Sequence, residues 1–351
     1  MSSPDATSLP RGKSSATADS PGGTDTEKGG RRIPCSVVTG SADALKNLLR
    51  HRVLLSPLRY PGGKRRLVPY IASALVANDL RPGLFTEPYA GGASVSLELL
   101  HAELVDRIGI SDSDPMVAAF WETVFEDSDW LCKKIETVPV DLKNWRRLKR
   151  GSHTTRRNLA LACLFLNRTS FNGSLNYRAG PIGGHKQESD YSLDCRFPRE
   201  RLIKRVRDCE KLAARVDFVK CEDAGSAMAY ARKRARAEGW STFFYLDPPF
   251  WAKSDRLYRA SFQKWQHEEL AESLLWFEDS WLLSYDPAPE VEDLYAGHRG
   301  VQTATIDLLY TGTRRSAGSE LVITNLDQLP EETRLWRTES ERAADRAMAA
   351  R

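Results

Sequence analysis

The segment GLFTEPYAGGASVSLELL, residues 83–100, passes from an apolar run through a glycine turn into a helical pattern. We interpret residues 83–87 as a buried strand and residues 94–100 as a helix, with the turn Ala90-Gly91-Gly92 between them. Small residues after a strand let the backbone approach a ligand closely, and the helix N-terminus offers free N–H groups. A purely structural turn gives the same pattern, so the turn alone does not establish a ligand site.

Two further apolar runs, at residues 107–112 and 242–247, have the length and composition of strands. Strands that alternate with glycine turns and helices predict a parallel, doubly wound α/β sheet with helices on both faces. Residues 116–215 interrupt this alternation. Their richness in Arg, Trp and Asn predicts an inserted, mostly helical subdomain.

The two ends of the chain differ from this central region. Residues 1–50 are expected to form a disordered N-terminal tail, because Ser, Pro, Gly and charged residues without periodicity cannot bury enough apolar surface to offset ordering. Residues 331–351 are charged and rich in Ala, Arg and Glu, and we expect a C-terminal tail there. The catalytic domain is therefore predicted at residues 51–115 and 216–330.

The composition excludes several classes of protein. The chain has 351 residues, of which 41% are hydrophobic and 28% charged, which supports a large core and excludes a wholly disordered chain. No apolar run reaches the roughly 18 residues of a membrane span, and the N-terminus has no apolar signal segment. The six cysteines form no CxxC pair and the six histidines no HExxH or HxxxH spacing. We therefore expect a soluble, cytoplasmic protein with no metal site and no membrane partner.

Asp112 follows the second predicted strand, roughly 20 residues beyond the glycine turn. A carboxylate at this place can accept both hydroxyls of a ribose, whichever adenosine-containing cofactor is bound. The alternative is a helix cap within Ser111-Asp112-Ser113-Asp114-Pro115. Neither GxGxxG nor GxxxxGK[ST] occurs in the chain, which argues against a nicotinamide dehydrogenase and a P-loop kinase.

Asp247-Pro248-Pro249-Phe250 directly follows the third predicted strand and gives the sharpest chemical signal. A strand that ends in this way presents a carboxylate and a carbonyl at the mouth of the sheet, because proline has no N–H to donate. Two acceptors beside an aromatic face suit the exocyclic amino group of a base. The alternative is a proline-stiffened turn with a buried Phe.

The order of these motifs resembles that of the Dam-like adenine-N6 DNA methyltransferases, over residues from about 55 to 326. The net charge of +4 does not by itself indicate nucleic-acid binding. The matching segments are RYPGGK (59–64), EPYAGGAS (87–94), Asp112, FLNRTSFNG (165–173) in the insertion, DPPF (247–250), WQHEEL (265–270) and GSELVITN (318–325).

The resemblance implies a Rossmann-like S-adenosylmethionine-dependent methyltransferase sheet with an inserted DNA-recognition subdomain. It implies methyl transfer from S-adenosylmethionine to N6 of adenine in duplex DNA, with base flipping. The implied catalytic residues are Asp247, Pro248, Pro249 and Phe250. The implied cofactor-binding residues are Tyr60, Lys64, Glu87, Pro88, Tyr89, Gly91, Gly92, Asp112 and Asp247. The implied DNA-binding residues are Arg168, Phe171, Asn172, Asn176 and Arg178.

Two positions depart from the family pattern. The family more often has Tyr where Phe250 stands, but stacking needs only a ring. Asn176 replaces an Arg that reads guanine in the Dam branch, so a GATC target is not implied. Outside the motifs, the basic residues of the segment 145–150, with Arg156 and Arg157, suit sequence-independent phosphate contacts. A solvated basic helix is the alternative for them.

Two other functions stay open from the sequence. One is a DNA-binding protein that kept the fold but lost catalysis, although the intact DPPF segment and glycine turn argue against it. The other is methylation of RNA or of a small molecule. A cognate restriction enzyme or a phage-defence partner is compatible with the sequence, which does not indicate the oligomeric state.

Overall fold

The computed structural model describes residues 41–50, 53–251, 262–311 and 315–335. Within these residues, seven strands form one sheet: β1 (Leu84–Glu87), β2 (Ile108–Ser111), β3 (Val216–Lys220), β4 (Thr242–Leu246), β5 (Ser280–Tyr285), β6 (Gln302–Thr311) and β7 (Arg315–Thr324). Their order is β3-β2-β1-β4-β5-β7-β6. The first five strands in this order, β3, β2, β1, β4 and β5, are parallel to one another, and β7 runs antiparallel to both β5 and β6. The doubly wound sheet is confirmed, and the antiparallel pair β6–β7 extends it beyond the prediction.

Helices connect and cover the strands. They are α1 (Ser41–Arg50), α2 (Val68–Ala77), α3 (Ser94–His101), α4 (Pro115–Glu126), α5 (Ser128–Thr137), α6 (Leu142–Arg150), α7 (Arg156–Thr169), α8 (Arg199–Glu210), α9 (Ala224–Glu238), α10 (Lys264–Leu275) and α11 (Pro289–Tyr295). Short 3-10 turns lie at Arg65–Leu67, Phe171–Gly173 and Ala213–Arg215.

Helices cover both faces of the sheet, as strand β4 illustrates. Phe243 and Tyr245 point into one core, with apolar residues of α2, α3, α4, α7 and α8. Phe244 and Leu246 point into the other core, with residues of α9, α10 and α11. Successive side chains of a strand alternate between faces, so a sheet covered on both sides has strands that are apolar throughout.

The segment 116–215 is mostly helical, as the sequence indicates, and it shares a core with the sheet. Phe120 of α4 and Phe165 of α7 are buried in the same cluster as the sheet residue Phe85. Helix α4 follows β2 after only a short turn and packs against β3. The helices of this segment therefore form part of one sheet-covering layer, and the boundary of a separate recognition unit stays a prediction.

The tail predicted at residues 1–50 includes a segment that forms a helix. Residues 41–50 form helix α1, which packs against α2 and buries Leu48. The sequence SADALKNLLR places Ala44, Leu45 and Leu48 at helical spacing, which gives this segment an apolar face. At the other end, the backbone of Asp307 on β6 pairs with residues 333 and 335, inside the predicted C-terminal tail. The rest of both tails lies outside the described residues.

The strand order places a topological switch point between β1 and β4. From β1 the chain proceeds outward to β2 and β3, and it returns to β4 on the other side of β1. In open α/β sheets, ligands bind beyond the carboxyl ends of the strands at such a point. Glu87 ends β1 and Asp247 follows β4, so the two motifs singled out in the sequence meet there.

Candidate active site

A cavity of about 420 Å³ opens at the switch point. The loops that follow β1, β2, β3 and β4 contribute to its wall. All nine residues that the resemblance assigned to the cofactor line it, namely Tyr60, Lys64, Glu87, Pro88, Tyr89, Gly91, Gly92, Asp112 and Asp247. The fold thus brings together segments that are up to 187 positions apart in the sequence (247 − 60).

The glycine turn packs against an aromatic ring. Gly91 has a φ of 45°, a left-handed conformation that favours glycine. A Cβ at Gly91 would lie 2.7 Å from Cδ1 of Tyr60, so only glycine lets the turn approach this ring. Trp121 of α4 donates a hydrogen bond from Nε1 to the Gly91 carbonyl at 2.9 Å. The turn is therefore fixed from both sides while it forms part of the cavity wall.

Asp112, which follows β2, holds the glycine turn through a hydrogen bond to its backbone. Its Oδ2 accepts a hydrogen bond from Gly91 N at 2.9 Å, and its Oδ1 accepts one from Asp114 N at 2.8 Å. The cap of α4 is Asp114, whose Oδ1 accepts from Met116 N. The helix-cap alternative therefore belongs to Asp114. Burial raises the pKa of Asp112 to about 7, although both backbone donors oppose this rise.

Glu87, at the end of β1, satisfies the N-terminus of α3. Ser96 donates to Glu87 Oε2 from its backbone N at 3.0 Å and from its hydroxyl at 2.6 Å. The residue that precedes the helix, Ala93, has no side chain that can cap it, so the Glu87 carboxyl group accepts a hydrogen bond from the first turn of α3 instead. Burial raises the pKa of Glu87 to about 8, despite the two bonds from Ser96.

Asp247 and Lys64 form a buried ion pair. Lys64 Nζ lies 2.8 Å from Asp247 Oδ1 and 3.6 Å from Oε1 of Glu320, a fully buried residue of β7. Ser284 Oγ donates to the same Asp247 oxygen at 3.2 Å. Within the described part of the chain, both polar contacts of Asp247 use Oδ1, which leaves Oδ2 as an acceptor for a ligand. Burial raises the pKa of Asp247, and the Lys64 ammonium opposes this rise.

The other residues of the DPPF segment lie around this pair. Pro249 lines the cavity together with Asp247, whereas Pro248 and Phe250 are not part of the described lining. The Phe250 ring has the Lys64 ammonium 5.0 Å from its centroid, a cation–π distance. The predicted roles of the Pro248 carbonyl and the Phe250 ring toward a base stay predictions.

Several cavity residues were not predicted. Asp223 follows β3 and caps α9 by accepting from Ser226 N at 2.9 Å. Gln266 and Glu269 line the cavity from α10, one helical turn apart. Both belong to the WQHEEL segment, whose i, i+3 spacing indicates that they share a helix face. Asp223 gave no such signal, because β3 was not recognised as a strand.

The structure divides the five predicted DNA-binding residues into two groups. Phe171, with 57% of its surface exposed, and Asn172 lie in the exposed turn after α7, and Arg178 is also exposed. Arg168 and Asn176 are 5% and 1% exposed. A buried side chain does not reach DNA in this conformation, so the structure gives these two residues a place in the interior, and their assignment to DNA contacts stays a prediction.

The two buried residues instead organise the chain around the turn. Arg168 Nε donates to the Arg196 carbonyl at 2.7 Å. Asn176 Oδ1 accepts from Arg178 N at 2.9 Å. The carbonyl of Asn176 accepts from Lys149 Nζ at 2.5 Å, which ties α6 to this region.

The basic residues upstream of this turn, in the segment 145–150 and at Arg156 and Arg157, also fall into two groups. Arg146 and Arg147 are exposed on α6, opposite the buried Trp145. Arg156 and Arg157 form ion pairs with Glu126 and Asp127. Those two arginines have acidic partners within the chain, and their contacts with phosphates stay a prediction.

Two further searches concern only the described residues. No group of three or more His, Cys, Asp or Glu side chains there has the arrangement of a metal site. No helix there is long and apolar enough to cross a membrane.

The doubly wound sheet, with a carboxylate-lined cavity at its switch point and helices on both faces, defines a Rossmann-like methyltransferase. The model of the D12 class N6 adenine-specific DNA methyltransferase family matches residues 60–311, and the chain belongs to this family. It is accordingly a DNA adenine methyltransferase.

Other comparisons are more distant. Among solved structures, the chain is similar to a proposed RNA methyltransferase, PH1948 from Pyrococcus horikoshii, with 9% sequence identity and a TM-score of 0.35. The similarity covers 82% of this chain and 97% of that one. No curated protein sequence matches the chain.

Proposed function

We propose that this enzyme transfers a methyl group from S-adenosylmethionine to N6 of an adenine in duplex DNA, after the base has left the helical stack. The observation that carries the proposal is Asp247, a partly buried carboxylate at the switch-point cavity with one oxygen engaged by Lys64. The family supports adenine methylation in DNA. The duplex substrate, the extruded base and the residue roles are inferred from the site.

The chemistry of the cavity fits the cofactor. Carboxylates of Glu87, Asp112 and Asp247 surround a volume of about 420 Å³, within the range of small-molecule sites. Asp112 would hold the ribose hydroxyls and the Tyr60 ring would pack on the adenine. Acidic residues suit the positive charge of a sulfonium and an amino group. When bound, S-adenosylmethionine supplies the methyl group.

The chain's own groups prepare the amino nitrogen of the target base. Asp247 Oδ2 and the Pro248 carbonyl would accept its two hydrogens, which increases the electron density of the nitrogen lone pair. Lys64 favours the ionised form of Asp247 against the effect of burial, so the carboxylate is an acceptor when the base enters. Positioning and electrostatics carry the step, and no side chain has to form a covalent bond.

The position of the site supports the proposal of an extruded base. The amino group of a paired adenine is held within the stack, whereas Asp247 lies in a cavity and only 18% of its side chain is exposed. Enzymes that modify a base inside a duplex flip it into such a pocket. The Phe250 ring would stack on the flipped base. A cytoplasmic location stays an expectation from the sequence.

Methyl transfer from labelled S-adenosylmethionine to duplex DNA, single-stranded DNA and RNA of the same sequence tests the proposal. Wild type is expected to label adenine in duplex DNA. Asp247→Asn should lower the rate by at least about a hundredfold, since loss of one such stabilising group costs 10²–10³ in typical enzymes. The matched control is Asp106→Asn, which removes an exposed carboxylate that pairs with Arg81. Label in RNA alone, or an unaffected Asp247→Asn rate, would contradict the proposal.

A further inference from the structure

Five arginines lie together beside the turn Phe171–Gly173 after α7, which we call the recognition turn. Arg59 precedes the cavity residue Tyr60, Arg168 lies in the last turn of α7, Arg196 lies before α8, and Arg201 and Arg205 stand one turn apart on α8. We call these five residues, Arg59, Arg168, Arg196, Arg201 and Arg205, the arginine cluster. Their mutual electrostatic repulsion acts on the buried Arg168, which all four others approach.

Backbone carbonyls hold the inner members of the arginine cluster. Arg168 donates from Nε to the Arg196 carbonyl at 2.7 Å and from Nη1 to the Pro57 carbonyl at 3.4 Å. Arg205 Nη1 donates to the Ser56 carbonyl at 3.4 Å. These contacts satisfy donors without neutralising charge. Arg196 and Arg201 are exposed, so the outer part of the cluster faces solvent.

No ion pair with an acidic residue neutralises the arginine cluster within the described ranges of the chain. Two other basic residues of α8 differ: Lys204 pairs with Asp208 at 2.6 Å, and Arg207 pairs with Glu210 at 2.9 Å and with Asp129. Helix α8 therefore carries neutralised basic residues beside two arginines, Arg201 and Arg205, that have no ion pair with an acidic residue of the described ranges. Arginines left without a nearby carboxylate are suited to bind an anion from outside the chain.

Burial and the electrostatic cost of the close arrangement both lower the pKa values of the inner members of the arginine cluster. Burial and the neighbouring guanidinium groups lower the pKa of Arg168 to about 9. The pKa values of Arg59 and Arg205 are lowered for the same two reasons, burial first. Like charges held together disfavour their own charged forms, and an anion that binds them relieves the repulsion.

The arginine cluster lies between the cavity and the recognition turn. Asn167 Oδ1 accepts from Arg59 N at 2.7 Å, and its Nδ2 donates to the Gly173 carbonyl at 2.8 Å. Gly173 has a φ of 74°, and a Cβ there would lie 2.0 Å from the Arg59 carbonyl oxygen. The segment that leads into the cavity is thus fastened to the turn that presents Phe171.

We propose that the arginine cluster binds the phosphodiester backbone of the DNA substrate next to the recognition turn. Arg196 and Arg201 contact phosphates directly, and the buried Arg168 supports them from below. The proposal rests on the proposed function, because the anion is the backbone of the DNA that is methylated. Guanidinium forks match phosphate oxygens in pairs, and a backbone contact fixes position without reading sequence.

The salt dependence of DNA binding tests this proposal. The test variant is Arg196→Gln/Arg201→Gln, and the matched control is Lys204→Gln/Arg207→Gln, which removes two charges of α8 that are already ion-paired within the chain. Binding of a labelled adenine-containing duplex is measured by fluorescence anisotropy from 50 to 200 mM salt, with S-adenosylhomocysteine present. Each phosphate contact adds about 0.9 to the slope of log K against log salt concentration.

The test variant should lower this slope by about 1.8 and lose more than about tenfold in affinity at 100 mM salt. The control should keep the wild-type slope within about 0.5. Calorimetry should give the same S-adenosylhomocysteine affinity for all three proteins, which shows that the cavity is intact. A wild-type slope in the test variant, or equal losses in both variants, would overturn the cluster assignment while the proposed function stands. Failure of wild type to bind or methylate duplex DNA would instead overturn the proposed function.

Discussion

Asp112 should make cofactor binding depend on pH in the neutral range. Burial raises the pKa of its carboxyl to about 7 from an ordinary value of 3.8. In the ligand-free protein this group is therefore mostly protonated below pH 7. Ribose hydroxyls donate to the ionised carboxylate, so binding releases the proton. The affinity should be highest above pH 7 and should fall as the pH drops through 7.

The size of the effect follows from the pKa. One pH unit below it, at pH 6, about one carboxyl in eleven is ionised, so the affinity should be about tenfold lower than at pH 8. Calorimetry with S-adenosylhomocysteine, in two buffers of different ionisation enthalpy, gives the number of protons released. For Asp112 this number should be close to one at pH 6 and should fall toward zero at pH 8.

Two variants assign the released proton. Asp112→Asn should bind roughly ten- to a hundredfold more weakly at pH 8, because charge-assisted hydrogen bonds are worth about 1.5–3 kcal/mol each. It should also lose the release at pH 6. Glu87→Gln removes the neighbouring carboxyl, whose pKa is about 8, and should keep the proton release of Asp112. Equal wild-type affinity at both pH values without proton release would refute the assignment of Asp112 to the ribose.

Three further changes test individual contacts. Gly91→Ala should weaken S-adenosylhomocysteine binding at least about tenfold in calorimetry, because residue 91 has a left-handed backbone conformation and the added Cβ would collide with the Tyr60 ring. An unchanged affinity would exclude this ring from the cofactor site. Phe250→Ala should lower the methylation rate about ten- to a hundredfold, given roughly 1–3 kcal/mol for base–aromatic stacking, whereas Phe250→Tyr should remain active; equal rates for wild type and the Ala variant would return this residue to a turn-packing role. Glu320→Gln should lower the free energy of unfolding, measured in urea, by about 1–3 kcal/mol, because the buried Lys64 ammonium loses a carboxylate 3.6 Å away. A change below about 0.5 kcal/mol would mean that this carboxylate contributes little to holding the ammonium.

The parts of the fold that could be predicted are those with a strong local pattern. Strands β1, β2 and β4 are short apolar runs that end in a turn or a carboxylate, and periodicity identifies them. Strand β3, with the sequence VDFVK, alternates without a flanking glycine turn and was missed. The pair β6–β7 depends on pairing between segments, and the GSELVITN segment indicated only a family resemblance.

The candidate cavity could be predicted more fully than the DNA-facing surface. Cavity residues follow strand ends, and the topology of a parallel sheet brings such ends together. Arg168 was assigned to DNA from its motif, but it stands four residues after Leu164 on α7 and shares that buried helix face. Asn176 stands in a polar segment, and only the folded chain shows that its side chain points inward. Motif position gives residue identity, whereas burial depends on tertiary packing.

The net charge of +4 includes two regions of opposite charge, an acidic cavity for the cofactor and a basic cluster for the DNA. The cavity is lined by the carboxyl groups of Glu87, Asp112, Asp247, Asp223 and Glu269, and a bound cationic methyl donor favours their ionised forms. The arginine cluster includes Arg59, which directly precedes the cavity residue Tyr60, and its members have no ion pair with an acidic residue in the described part of the chain. A uniformly basic surface would attract DNA but would also repel the cofactor from its cavity. Two oppositely charged regions that nearly cancel are therefore compatible with strong DNA binding, and the near-neutral total does not argue against it.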